Sequence, residues 1–170
     1  HIPFTRSSWK ERDNPQRGEI VVFEYPKDPD KDYIKRVIGI PGDTVEVKDK
    51  QVIVNGTPLE RKIVDNKEIL ADLTPKYDPD SMSLFEETHN GHTYYIAHMN
   101  DRVGMDVPAF TLPSDCYFVM GDNRDDSLDS RYWGCVDRSK FLGRAGFTWF
   151  SINIDHFPYL RFNRFFRDLE

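Results

Sequence analysis

The sequence predicts an all-β fold built of antiparallel sheets, with a smaller β subdomain inserted into it. Three features predict this. Short runs rich in β-branched and aromatic residues recur along the chain. Pro-Gly and Asn-Gly pairs, the residues that tight turns require, separate several of them. The 11 prolines and 10 glycines are spread through 170 residues, which suits short strands joined by turns better than a helical bundle.

In chain order, Glu19–Tyr25 (EIVVFEY) reads as a buried strand and Tyr33–Ile40 (YIKRVIGI) as another. The second ends in Pro41-Gly42, the central pair of a type II turn, because proline presets φ and glycine accepts positive φ. Thr44–Lys48 and Gln51–Val54 alternate apolar and polar residues, and Asn55-Gly56 then signals a hairpin. From about Arg61 to Pro113 the chain is more polar and is punctuated by proline. One convincing strand, His92–Ala97, stands there between long loops, and the stretch reads as a less constrained insertion. Regular patterning returns at Cys116–Met120 and at Phe141–Ser151. Residues 1–45 and 113–170 are thus expected to form a discontinuous core, with 46–112 inserted.

Composition narrows the function. Hydrophobic residues make up 38% and aromatics 14%, enough for a packed interior. The formal charge of −6 gives an acidic surface that repels phosphate backbones, so nucleic acid is not an expected partner. No run approaches the roughly 20 apolar residues that cross a bilayer. The opening HIPFTRSSWKERDNPQRG lacks the apolar centre of a signal peptide. A chain opening on His1 rather than Met is expected of a truncated or processed fragment. Cys116 and Cys135 either pair or serve as two small buried hydrophobes. His89, His92 and His98 stand in no known ligand pattern, and no metal is expected.

Two segments carry more polar chemistry than a strand or loop needs. In Asp32–Asp43 (DYIKRVIGIPGD), alternation puts Tyr33, Lys35 and Val37 on one face and Ile34, Arg36 and Ile38 on the other. A lysine among apolar groups loses hydration and its pKa falls, leaving a neutral amine able to take a proton from a hydroxyl. Alternation alone favours the plainer reading, an edge-strand lysine snorkelling to water. The second segment, Gly121–Gly134 (GDNRDDSLDSRYWG), packs both charge signs and several amide and hydroxyl groups into one loop after a hydrophobic strand. Buried, such a loop is a charge network that holds its neighbours in place; exposed, it is a solvated acidic loop. A calcium loop fails on spacing, with Arg124 third and Ser127 sixth from Asp122.

Taken together, KRVIGIPGD and the downstream GDNRDDSLDSRYWG resemble the paired signature of bacterial type I signal peptidases. The entry strand RGEIVVFEYP, the segment GRAGFTWFS and the later Pro158, Leu160 and Arg161 are similar to the family's flanks. The resemblance implies coiled antiparallel β-sheets of the signal peptidase/LexA-like type, and a serine endopeptidase using a Ser/Lys dyad. It implies Lys35 as general base and Ser127 as the hydroxyl that orients it. Asp129 with Arg131, and Arg36 with Asp122, are implied as supporting charge pairs, and Gly121 as the small residue that lets the lysine approach. Asp32, Tyr33 and Ile34 fall where the family offers a strand edge to an extended substrate. The implied partners are exported preproteins with small residues at the cleavage site, at the outer face of the cytoplasmic membrane. Membrane lipids would be met through an anchor and by the C-terminal Arg/Phe tail, which reads equally as a helix packed on the core. No cofactor is implied.

The departure is that the family's nucleophile lies in a Ser-Met-x-Pro segment, and the 170 residues contain none. Ser7 and Ser8 precede Trp9 and Lys10. Ser81-Met82 is followed by Ser83 and Leu84, where the pattern needs proline second. These residues alone are therefore expected to lack peptidase activity and part of the oxyanion hole. Competing readings are a conjugation-type maturation peptidase and a non-catalytic β binding domain descended from the family. A LexA-like self-cleaving regulator would carry a DNA-binding helix pair, which the sequence does not offer, and its DNA partner sits poorly with the acidic charge.

Overall fold

The computed structural model describes residues 14–74 and 76–145, and the backbone alone of 147–148 and 167–168. Strands β1 (Ile20–Glu24) and β2 (Asp32–Gly39) pair antiparallel, from Ile20 opposite Arg36 to Glu24 opposite Asp32. The chain turns at Pro41-Gly42 as its sequence requires: Gly42 has φ 88°, and Asp43 N donates to Ile40 O at 3.0 Å. Strands β3 (Thr44–Lys48), β4 (Gln51–Val54) and β5 (Thr57–Pro58) follow as a meander. Its Asn55-Gly56 link has φ 53° and 77°, the positive pair of a type I′ turn.

The middle of the chain is more regular than its sequence suggests. Beyond β6 (Glu60–Val64) and the helix α1 (Lys67–Leu73), β7 (Met82–His89) and β8 (His92–Met99) pair along their whole length. With β6 they form a three-stranded sheet, and β9 (Val107–Thr111) returns to pair with β3. The expectation of one strand between long loops is corrected here, for three physical reasons. The link between β7 and β8 is a second Asn-Gly turn, at Asn90-Gly91, with φ 52° and 84°. In β7, burial changes face between Leu84 and Glu87, so no simple alternation survives. In β9, Pro108 is tolerated because the strand lies at the edge of its sheet.

Strand β10 (Cys116–Met120), the single-turn helix α2 (Ser130–Trp133), β11 (Val136–Asp137) and β12 (Phe141–Arg144) complete a five-stranded sheet of order β11-β10-β2-β1-β12. The pairs among these named strands are antiparallel. A two-residue ladder joins β13 (Phe147–Thr148) to β14 (Arg167–Asp168). Residues 149–151 of the expected Phe141–Ser151 strand, most of the Arg/Phe tail and residues 1–13 of the opening segment lie outside the described residues. No helix among the described residues is long and apolar enough to cross a membrane.

Both faces are covered along the second half of β2 and along Tyr117–Met120 of β10, which explains why burial there does not alternate. On one face Ile38, Phe118 and Met120 pack with Val45, Val47, Val52, Val54 and Leu112, joining the five-stranded and four-stranded sheets. On the other face, Val37, Tyr117 and Val119 pack with Val21, Phe23, Val136 and Phe141. Asp43 fixes the crossing between sheets by accepting from Ile40 N, from Asn55 Nδ2 and from the fork of Arg17. Leu70 of α1 packs against Met82, Leu84, Ala97 and Met99.

Cys116 and Cys135, left open by the sequence, are joined by a disulfide, with Cα atoms 5.6 Å apart. The bridge encloses the whole Gly121–Gly134 loop. Closing a loop of this size restricts the unfolded chain and stabilises the fold by about 3 kcal/mol. Replacing both cysteines by serine should therefore lower the stability measured by urea unfolding by about that amount. An unchanged midpoint and slope would show that the covalent link contributes nothing.

Candidate active site

The site lies where β2 runs past the end of β10. The last pair between them is Met120 with Arg36, whereas β1 accompanies β2 back to Asp32. Asp32, Tyr33 and Ile34 are therefore paired on the β1 side only among the described strands, and Ile34 is 54% exposed. Lys35 stands at the junction, half-buried, with Nζ 5.7 Å from the Tyr33 ring centroid. Tyr33 is itself stacked on Tyr25, with centroids 4.5 Å apart.

Directly after β10 the chain enters the loop at Gly121. A Cβ at this position would fall 2.2 Å from Ser127 Oγ, 2.6 Å from Ser127 Cβ and 3.4 Å from Lys35 Nζ. The amine and the hydroxyl thus converge over a backbone that only glycine leaves open. The geometry gives Gly121 a sharper duty than expected, since the space it leaves is filled first by Ser127. Ser127 Oγ is buried and has no hydrogen-bond partner among the described residues. Such a hydroxyl is costly to leave unpaired, and it is free to rotate toward the amine. Burial pushes the Lys35 amine below the ordinary lysine range. The Asp129 and Asp122 carboxylates oppose this, and the Arg131 guanidinium reinforces it.

The expected charge pairs are both present. Asp129, fully buried, caps α2 and accepts from Gly121 N at 3.0 Å, and from Arg131 Nε and Nη2 at 2.8 Å each. Asp122 takes a two-pronged grip from Arg36, Nε at 2.9 Å and Nη2 at 2.7 Å, while Arg36 Nη1 donates to Gly18 O. The loop is a buried charge network rather than a solvated acidic turn.

Sequence reasoning missed the partners that the middle of the chain supplies. Arg124 and Glu87 form an ion pair with both side chains 1% exposed, and Tyr94 Oη donates to Glu87 at 2.8 Å. Arg36 lies over the Tyr94 ring, 3.8 Å from its centroid. Asp125 accepts from Lys50 Nζ at 2.9 Å and from Met99 N at 2.8 Å, and faces His98 Nδ1 at 3.3 Å. The one available signal was Glu87 itself, a carboxylate inside a run of strand residues. Ser81, by contrast, donates its hydroxyl to Asp78 O in the turn before β7, outside the sheet that carries Lys35.

This is an all-β protein of antiparallel sheets, with a desolvated amine and an orphan hydroxyl at an open strand edge. Residues 4–150 match the family model described as signal peptidase, peptidase S26, and the chain belongs to that family. It is similar to Signal peptidase I of Pseudomonas aeruginosa, 36% identical over 150 residues that cover 81% of this chain and 50% of the relative. It is also similar to Signal peptidase I of Rickettsia massiliae, 38% identical over 149 residues covering 82% and 53%. A solved structure of a signal peptidase I from Enterococcus faecalis aligns with a TM-score of 0.48 and 29% identity, covering 78% of this chain and 97% of that one. The chain spans about half the length of the curated relatives named here.

His98 provides a test of the buried network. Burial, and then the Arg124 charge, push its ring down to about 4 against the opposing pull of Asp125. The folded state keeps this ring neutral where the unfolded chain, with an ordinary histidine near 6.5, has bound a proton. Its stabilisation is full above that value and lost as pH falls toward 4, by about 3 kcal/mol. His98→Gln should flatten the acid side of the stability–pH curve by about this amount. An unchanged slope would mean that the ring titrates normally.

Proposed function

We propose that this chain supplies the base side of a signal peptidase active site, which removes signal peptides from exported preproteins through a Ser/Lys dyad. The observation that carries the reading is the convergence of Lys35 Nζ and Ser127 Oγ over Gly121 at the open edge of β2. On this reading Lys35 is held neutral by desolvation. It takes the proton of a serine hydroxyl as that oxygen bonds to the scissile carbonyl carbon. It then returns the proton to the departing amine as the peptide bond breaks. Water, deprotonated by the same amine, attacks the acyl-enzyme and releases the signal peptide.

Ser127 orients the amine, and the Asp129–Arg131 and Arg36–Asp122 pairs hold the loop and strand that bring the two together. The free edge at Asp32, Tyr33 and Ile34 accepts the substrate as an added strand, fixing the scissile bond by main-chain hydrogen bonds. The reacting serine is assigned to a Ser-Met-x-Pro segment outside these 170 residues, in a protein acting at the outer face of the cytoplasmic membrane. The family membership and the relatives' names support this reading, and the low Lys35 amine supports the base.

In the whole protein, Lys35→Ala should lower cleavage of a preprotein reporter by at least about a thousandfold while the circular dichroism spectrum is retained. Ser127→Ala should cost about ten- to a hundredfold, because that hydroxyl orients the base and does not react. Processing by a folded Lys35→Ala protein at the normal rate would remove the amine from its role. The 170-residue chain by itself should leave the same reporter uncut; cleavage by it, lost on Lys35→Ala, would overturn the placement of the nucleophile.

A further inference from the structure

We infer that Glu87 and Tyr94, which lie between the two motifs in the sequence, are positioning residues for the Lys35–Ser127 pair. The inference rests on the reading of Lys35 as the base. Contacts form a closed ring that meets that pair at Gly121. Asp122 grips Arg36, and Arg36 lies over Tyr94 at 3.8 Å. The Tyr94 hydroxyl donates to Glu87 at 2.8 Å, and Glu87 accepts both Arg124 Nη1 and Nη2. Arg124 O accepts from Arg131 Nη2, Arg131 forks onto Asp129, and Asp129 accepts from Gly121 N. The peptide bond from Gly121 to Asp122 completes the circuit.

Most members belong to the two motif segments. Glu87 on β7 and Tyr94 on β8 do not, and without them Arg36 and Arg124 lose their link across the three-stranded sheet, leaving the Gly121–Asp122 backbone as the tie between the two ion pairs. The backbone of β8 adds a second tie: Ala97 N donates to Asp122 O and Arg124 N donates to Ala97 O, each at 3.0 Å. The three-stranded sheet thus grips the loop on the residues that flank Asn123.

Energetics favour positioning over bulk stability. Both partners of the Glu87–Arg124 pair are 1% exposed, and such pairs stabilise a fold little more than apolar packing of equal volume. What a buried pair supplies is a fixed geometry, because either charge left alone must move to find water or a partner. Burial raises the Glu87 carboxyl, but the Arg124 charge and the hydrogen bonds from Arg124 and Tyr94 outweigh it, and Glu87 stays below its ordinary range. Burial and the Glu87 charge hold the Tyr94 hydroxyl protonated, so it remains a donor. Removing Glu87 strands a guanidinium that has no room to hydrate. Arg124 then shifts, and its carbonyl, which anchors Arg131, shifts with it. Arg131 and Asp129 loosen, the Gly121–Ser127 backbone relaxes, and water reaches Lys35.

The test is the titration of Lys35, followed through its Cε resonance in 13C-lysine-labelled chain and assigned by loss of the signal in Lys35→Ala. Groups set around this amine are Asp129, Asp122, Arg131 and Asp126, and none is altered. Glu87→Gln should raise the midpoint by about one unit, a tenfold fall in neutral amine at fixed pH. Tyr94→Phe, which changes no charge, should move it the same way by less. The sign is diagnostic, since the direct field of a lost carboxylate would lower the midpoint. Leu84→Ala, on the same strand but outside the ring, should cost stability and leave the midpoint alone. If Glu87→Gln does not fold, Tyr94→Phe decides. A midpoint that stays or falls in the folded variants overturns the inference. A wild-type Lys35 that titrates as an ordinary lysine overturns the reading of it as a base instead.

Discussion

The Asp129 carboxylate is the constraint on which the site depends. It has no water contact, so its charge must be answered by the protein, and the donors come from Gly121 N and from Arg131. One of these lies at the exit of β10 and the others in the first turn of α2. Meeting them all at once fixes the ends of the loop between them, and Ser127 lies in that loop. The buried anion and the strands together therefore set where the hydroxyl stands relative to Lys35.

The sheets supply what the loop cannot. Strand β2 is held rigidly because Val37 and Ile38 are buried on opposite faces, in two different apolar clusters. Lys35 follows directly from that clamped region, at the point where β10 has ended. A lysine at Ile34 would reach solvent, and one at Val37 would lose its hydration altogether. Position along one strand thus tunes both the hydration of the amine and its access to an added chain.

This arrangement has a cost in local stability. Ser127 Oγ, Arg124 Nε and His98 Nε2 are buried without partners among the described residues, each at or beside the network. A fold shaped for stability alone would fill these positions with apolar groups. Ser127 Oγ stands beside the half-buried amine, where the proposed chemistry lies, and the other two stand by the Glu87 and Asp125 contacts. The disulfide closes the loop covalently, and the Asp43 junction locks the two sheets at the turn after β2.

Local chemistry was legible in the residues themselves. Period-two patterning and β-branched content mark β1 to β4, β8 and β10, and the turns at Pro41-Gly42 and Asn55-Gly56 follow from backbone sterics that act within four residues. Lys35 between apolar neighbours and the charge-rich Gly121–Gly134 segment could likewise be read as unusual, since each anomaly lies within one short stretch. Only tertiary structure decided whom those charges meet. Glu87 lies 37 residues from Arg124 and Lys50 lies 75 from Asp125, and a buried ion pair looks in sequence like two solvated side chains. For the same reason β7 reads as polar: its carboxylate is paired with an arginine that only folding brings near.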